Sequence, residues 1–144
     1  MDRYLDTTRT GPQWLMRDDV ASIVTAQILR ADGYALHSWV VMSNHVHILI
    51  EPLIDASEMM RRLKGRTARD ANLALCRTGQ QFWEAESYDH WVRNAEEHGK
   101  IVRYIESNPV RAGLVASPED YKWSSAWKGW ERTGISGAEA PVAG

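Results

Sequence analysis

Residues 34–42 read YALHSWVVM, residues 45–51 read HVHILIE, and only Ser43 and Asn44 separate them. Two runs rich in β-branched and aromatic residues, joined by a short turn of this chemistry, predict a β-hairpin. Along the second strand His45, His47 and Leu49 alternate with Val46, Ile48 and Ile50, so the two imidazoles share one face. Pro52 ends the strand, because it has no N–H to donate to a ladder.

Helical patterns flank the hairpin. Asp18 or Asp19 caps a segment with Val20, Ile23, Val24 and Ile28 on one face, closed by Gly33. Beyond the hairpin, Ser57 is placed to cap a helix through EMMRRLKGRTARDANLALC, with Met60, Leu63, Ala71 and Ala74 near one face and Gly65 as a weak point. Residues 82–93, FWEAESYDHWVR, form another strand region. Asn94, with Glu97 three residues on, resembles a capping box and starts a helix through Ile101, Tyr104 and Ile105. Pro109 disfavours helical geometry at Asn108, which sets the expected end of that helix. The order helix, hairpin, helix, strand, helix describes an α+β layered domain.

The 144 residues suit one domain, and 44% apolar with 25% charged residues is a globular composition. The domain is expected over residues 1–128, and 129–144, small and polar with scattered glycines, reads as a flexible tail. No apolar run approaches the roughly 20 residues that span a bilayer, and the first residues lack the apolar core of a signal peptide. A cytoplasmic location without membrane contact is the expectation. The single cysteine, Cys76, excludes an internal disulfide and a cysteine-based zinc cluster, which leaves His, Asp, Glu or amide oxygens for any metal.

His45 and His47 are spaced to share one metal ion, although a His-x-His pair alone is weak evidence, since it more often reads as two hydrogen-bonded rings. In YIESNP, residues 104–109, Tyr104 and Asn108 are four apart and lie on one helix face. At a helix end the Asn108 amide is free to act as a ligand; by itself it also reads as a C-cap, with Tyr104 a core aromatic. Together the two motifs suggest one reaction. A phenol with an ordinary pKa of about 10 is a poor nucleophile. It can attack a phosphodiester when a divalent ion polarises the phosphate, and two imidazoles with one amide leave coordination positions open for phosphate and water.

The runs WVVMSNHVHILIEP (39–52), RYIESNPVRAGLV (103–115) and PEDYKWSSA (118–126) resemble the single-tyrosine HUH transposases, especially the REP-associated tyrosine transposases of bacteria. LKGRTARDAN (63–72) and residues 79–102 extend the resemblance over nearly all of residues 4–126. It implies a ferredoxin-like antiparallel sheet with helices packed mainly on one face. It also implies that His45, His47 and Asn108 hold Mg²⁺ or Mn²⁺, and that Tyr104 attacks single-stranded DNA to give a 5′-phosphotyrosine and a free 3′-hydroxyl, a nicking that can be reversed to rejoin strands. The implied partner is an imperfect palindromic hairpin, met as monomer or homodimer in the nucleoid. Two departures stand out. Ser43 replaces the proline usual before Asn44, and relatives carry a further strand ahead of the region matching RYLDTTRTGPQWL, which leaves the first strand open here. Lacking that strand, the chain would be a truncated or domesticated protein that binds hairpin DNA without cutting it.

A formal charge of −2 does not favour nucleic acid, but DNA meets one face of a protein and not its average. Arg61, Arg62, Lys64, Arg66 and Arg69 form a run with no acidic residue between them, and Lys100, Arg103 and Arg111 lie near the nucleophile. Both groups are candidate DNA contacts, against the plainer reading as solvated helix faces. Seven Trp and five Tyr against one Phe add flat rings with polar edges, and Trp83, Tyr88, Trp91 and Trp123 are candidates for base stacking. His37, His90 and His98 read as structural or surface groups.

Overall fold

A computed structural model describes residues 1–7, 13–83 and 87–130. Four strands and three helices follow in the order β1 (Arg3–Thr7), α1 (Asp18–Leu29), β2 (Tyr34–Val41), β3 (Val46–Pro52), α2 (Ala56–Ala74), β4 (Ser87–Trp91) and α3 (Ala95–Arg111). The strands form one antiparallel sheet in the order β2-β3-β1-β4. This is the ferredoxin-like α+β arrangement, with α3 appended.

The strand left open in the sequence is present and central. RYLDT forms β1 itself, pairing Leu5 with Ile48 on one side and with Asp89 on the other. The segment works as a strand because its alternation serves two cores. Leu5 points toward α1 and α2, while Tyr4 points toward α3. The case for a truncated binding protein therefore loses its motive. The sheet edge at β2 is also partly covered: Val40 bridges Ser124, Trp123 O accepts from Val41 N at 2.8 Å, and Tyr121 donates its hydroxyl to Val41 O at 2.7 Å.

Helices α1 and α2 share one face, burying Val20, Val24, Ile28, Met59, Leu63 and Ala71 against Trp39, Val41, Ile48 and Ile50. Helix α3 lies alone on the other face, with Ile105 against Tyr4, Val40, Leu49 and Val92. Burial of each such side chain contributes about 1.5–3 kcal/mol. Both sheet faces are thus covered, which is why β2 and β3 read as nearly continuous apolar runs.

Several boundaries differ from those read in the sequence. The cap of α2 is Asp55, whose carboxylate accepts from Glu58 N at 3.1 Å, and not Ser57. Asn94 caps α3 as expected, accepting from Glu97 N at 2.9 Å. That helix does not stop at Asn108: it runs through Pro109 to Arg111 and closes at Gly113, with φ +76 and Leu114 N donating to Pro109 O at 2.9 Å. Pro109 removes one helical donor, yet it is buried, and the surrounding packing holds the turn. Trp130 packs on Trp39 at 5.9 Å between ring centroids and donates to Ser124 O at 2.7 Å, so packed structure continues past residue 128. The rest of the expected tail lies outside the described residues. Among the described residues no helix is long and apolar enough to cross a membrane.

Candidate active site

The turn between β2 and β3 places the first histidine. Met42 N donates to His45 O at 2.8 Å, and Leu15 N, from the short 3-10 turn Trp14–Met16, donates to Ser43 O at 3.0 Å. His45 therefore sits in the turn just before β3, and His47 is the second residue of the strand. The two rings meet edge to face at 4.9 Å between centroids.

Each ring is held at its Nδ1. The His45 Nδ1 lies 2.9 Å from Asn44 Oδ1, which fixes it as the protonated nitrogen and leaves Nε2 with the lone pair. The His47 Nδ1 lies 2.6 Å from the Tyr4 hydroxyl and 3.4 Å from Asp6 Oδ1. Tyr4 and Asp6 project from the same face of β1, and Asp6 is the direct cross-strand partner of His47. An imidazole engaged at Nδ1 by a hydroxyl and a carboxylate offers Nε2 as a ligand, in the arrangement typical of metal-binding histidines.

Helix α3 brings Tyr104 to the pair. Its ring stands at 86° to His47 with 5.7 Å between centroids. Arg111 lies over the Tyr104 ring, its guanidinium carbon 4.1 Å from the ring centroid. The same guanidinium donates to Tyr104 O at 3.0 Å and to Ser107 Oγ, so two turns of helix position it. Tyr104 keeps 39% of its surface exposed. A cavity of about 640 Å³ opens here, lined by His45, Tyr104, Asn108, Arg111, Tyr121 and Trp123 among others. His47 is fully buried behind it.

Asn108 faces this cavity from inside the helix and not from its end. It is buried, and its Nδ2 makes no hydrogen bond among the described residues. A buried amide turned toward an open cavity beside two oriented imidazoles suits a divalent ion. Its oxygen, with the two Nε2 atoms, makes a hard-to-borderline donor set.

The candidate DNA residues separate into two groups. Arg103 and Arg111 are exposed on α3, on the site's side of the sheet. Arg61, Arg62, Lys64, Arg66 and Arg69 are on α2, which packs on the opposite face. Four of these five are engaged by carboxylates: Arg61 and Arg62 by Glu58 at 2.6 and 3.0 Å, Arg66 by Asp32 at 2.9 Å, and Arg69 by Asp70 at 3.5 Å. Partial burial holds the Lys64 pKa below its usual value. The run without acidic residues in sequence is therefore partly neutralised in space, by Glu58 ahead of it, Asp70 just after it and Asp32 from another segment. Among the stacking candidates, Trp123 lines the cavity and Trp91 is exposed on the edge strand beneath Arg3, 3.9 Å from its ring centroid. Trp83 is half-buried against the α1–α2 core, and the Tyr88 side chain lies outside the described residues.

Sequence reading missed Tyr4, Asp6 and Asn44, the residues that orient the imidazoles. Tyr4 and Asp6 have strand spacing and could have been found once β1 was recognised. A second group was also missed. Among the described residues one set of three His, Cys, Asp or Glu side chains is close enough for a single ion, Asp2, His37 and His98, and the His45–His47 pair is not part of it.

Residues 13–108 match the family model described as Transposase IS200 like. A REP-associated tyrosine transposase of Escherichia coli strain K12 is 26% identical over 102 residues, covering 69% of this chain and 58% of that protein, so the chain spans little more than half of its length. Among solved structures, a REP-associated tyrosine transposase bound to a REP hairpin superposes with a TM-score of 0.68 at 20% identity, over 99% of this chain and 87% of that one. A transposase-like protein of Deinococcus radiodurans gives 0.53 at 20% identity, over 74% and 89%. The two structures share this fold, the matched segment includes both histidines, Tyr104 and Asn108, and the chain belongs to the IS200-like transposase family.

Proposed function

We propose that this chain nicks and rejoins single-stranded DNA at hairpin sequences, with Tyr104 as nucleophile. The observation that carries the reading is the meeting of His45, His47 and Tyr104 beside one open cavity, with a guanidinium stacked on the tyrosine. The hairpin-bound relative of the same fold supports the substrate class.

His45 Nε2, His47 Nε2 and the Asn108 amide oxygen would hold Mg²⁺ or Mn²⁺. When bound, the ion supplies charge neutralisation at the scissile phosphate and orients it. The rest belongs to the chain. Tyr104 Oη attacks phosphorus, the bond to the 3′-oxygen breaks, the phenolic proton leaves to solvent, and the departing oxygen takes up a proton to become a 3′-hydroxyl. The DNA remains joined to the protein through a 5′-phosphotyrosine, and attack by another 3′-hydroxyl reverses the step. Arg111 fixes the nucleophile's ring and offers its charge to the phosphate. Asn44, Tyr4 and Asp6 keep both imidazoles in register, while Trp123 and Arg103 flank the route of the strand. Such a protein would work on nucleoid DNA.

Incubation with labelled hairpin DNA and Mn²⁺ should give a denaturation-resistant protein–DNA adduct that Tyr104→Phe abolishes and chelation prevents. An adduct retained in Tyr104→Phe would refute the assignment of the nucleophile. Hairpin binding without cleavage under any divalent ion would refute the enzyme in favour of a binding protein.

A further inference from the structure

The Asp2, His37 and His98 cluster lies on the α3 side of the sheet, away from the tyrosine site. Asp2 precedes β1, His37 is in β2 and His98 is in the first turns of α3. Asp2 and Asp6 are four residues apart along an extended chain, which separates the two groups by about 13 Å. The His98 and Tyr104 positions differ by about 9 Å along the helix.

His37 reaches this position through an irregularity in the β2–β3 register. Leu36 pairs with Ile50 and Ser38 with Leu49, so His37 is the extra residue between them. A bulge of this kind interrupts the ladder locally and re-aims one side chain, and here it turns an imidazole toward α3. The His37 and His98 rings lie edge to face at 5.4 Å between centroids. The Asp2 carboxylate is between them, with Oδ1 3.3 Å from His37 Nε2 and Oδ2 3.2 Å from His98 Nε2.

These contacts are not those of a hydrogen-bonded triad. The buried His37 Nε2 makes no hydrogen bond despite its distance from the carboxylate. Donor separations of 3.2–3.3 Å instead match the edge of a tetrahedron, which is about 3.3 Å when metal–ligand bonds are 2.0–2.1 Å. All three donor atoms lie within 4.8 Å of one another. The side chains keep 20–35% of their surface, so the cluster lies close to solvent.

We propose that Asp2, His37 and His98 form a second metal site, one that selects a borderline transition ion such as Zn²⁺. Two imidazoles and one carboxylate favour zinc over magnesium, which prefers oxygen donors. The bound ion ties the start of β1, the bulge of β2 and the first turns of α3 together. It thereby anchors the helix that carries Tyr104 without touching the reacting atoms.

The test uses untagged protein in a Cys76→Ser background, which removes an exposed thiol that would itself hold zinc. Zinc is titrated against a chromophoric chelator, with far-ultraviolet circular dichroism as the check of fold. His37→Ala, His98→Ala and Asp2→Asn should each lose one bound equivalent or weaken it at least tenfold, and His45→Ala should retain that equivalent. Anomalous diffraction at the zinc edge should place the ion between the three side chains. The proposal is overturned if folded His37→Ala and His98→Ala proteins bind zinc as the parent does, or if the parent binds none at micromolar concentration.

Discussion

At the scale of single residues, His47 depends most on its neighbours. It is fully buried, and burial of an imidazole is tolerable when its ring nitrogens are engaged. The 2.6 Å contact with the Tyr4 hydroxyl supplies this at Nδ1 and fixes the ring's direction. Tyr4→Phe keeps the aromatic packing and removes only the oxygen. It should cost about 1 kcal/mol in thermal unfolding. The Mn²⁺ concentration needed for half-maximal adduct formation should rise about 10–100-fold. The pairing of His45 with His47 and of Tyr104 with Asn108 was legible in the sequence from strand and helix spacing, whereas the roles proposed for them came from the resemblance. Tyr4 was not legible, since its partner is 43 residues away and only a sheet register brings them together.

At the scale of elements, the helices show where local rules hold and where tertiary contacts override them. Asn94 caps α3 as its sequence indicated, and Asn94→Ala should lower stability by about 1 kcal/mol in denaturant unfolding. Pro109 misled because the rule for the preceding residue describes isolated chain, whereas here buried neighbours keep the last turn helical. The start of α2 carries a different signature. Hydrogen bonds from Arg61 and Arg62 hold the Glu58 carboxyl down to about 2 from its ordinary 4.5. A depressed acid pKa stabilises the fold above the unfolded value and loses that contribution as pH falls between 4.5 and 2. Glu58 is exposed, so the effect is small and screened by salt. In Glu58→Gln, acid unfolding followed by circular dichroism should show a shallower decline over this window at low ionic strength, and the difference should vanish at 1 M salt.

At the scale of the molecule, the α+β class and most element positions were legible, because the hairpin and three amphipathic segments carry strong periodicity. The topology was legible only by resemblance, and the central strand was missed since RYLDT is too short to show a period and gains its place from partners on both sides. Charge distribution was the least legible property. The cations of α2 are adjacent in sequence, but Glu58, Asp32 and Asp70 reach four of them in space, whereas Arg103 and Arg111 stand on the side of the sheet that holds the cavity. Each phosphate contact to single-stranded DNA releases counterions and adds about 0.7 to the slope of log K against log salt. Replacing Arg103 and Arg111 together by alanine should therefore flatten the slope for a hairpin with a single-stranded flank by about 1.4, measured by fluorescence anisotropy across a salt series. Replacing Arg61 and Arg62 should leave the slope unchanged, because those side chains are already paired with Glu58. An equal loss from both pairs would mean that the DNA also wraps the α1–α2 face, and would return the α2 cations to the interface.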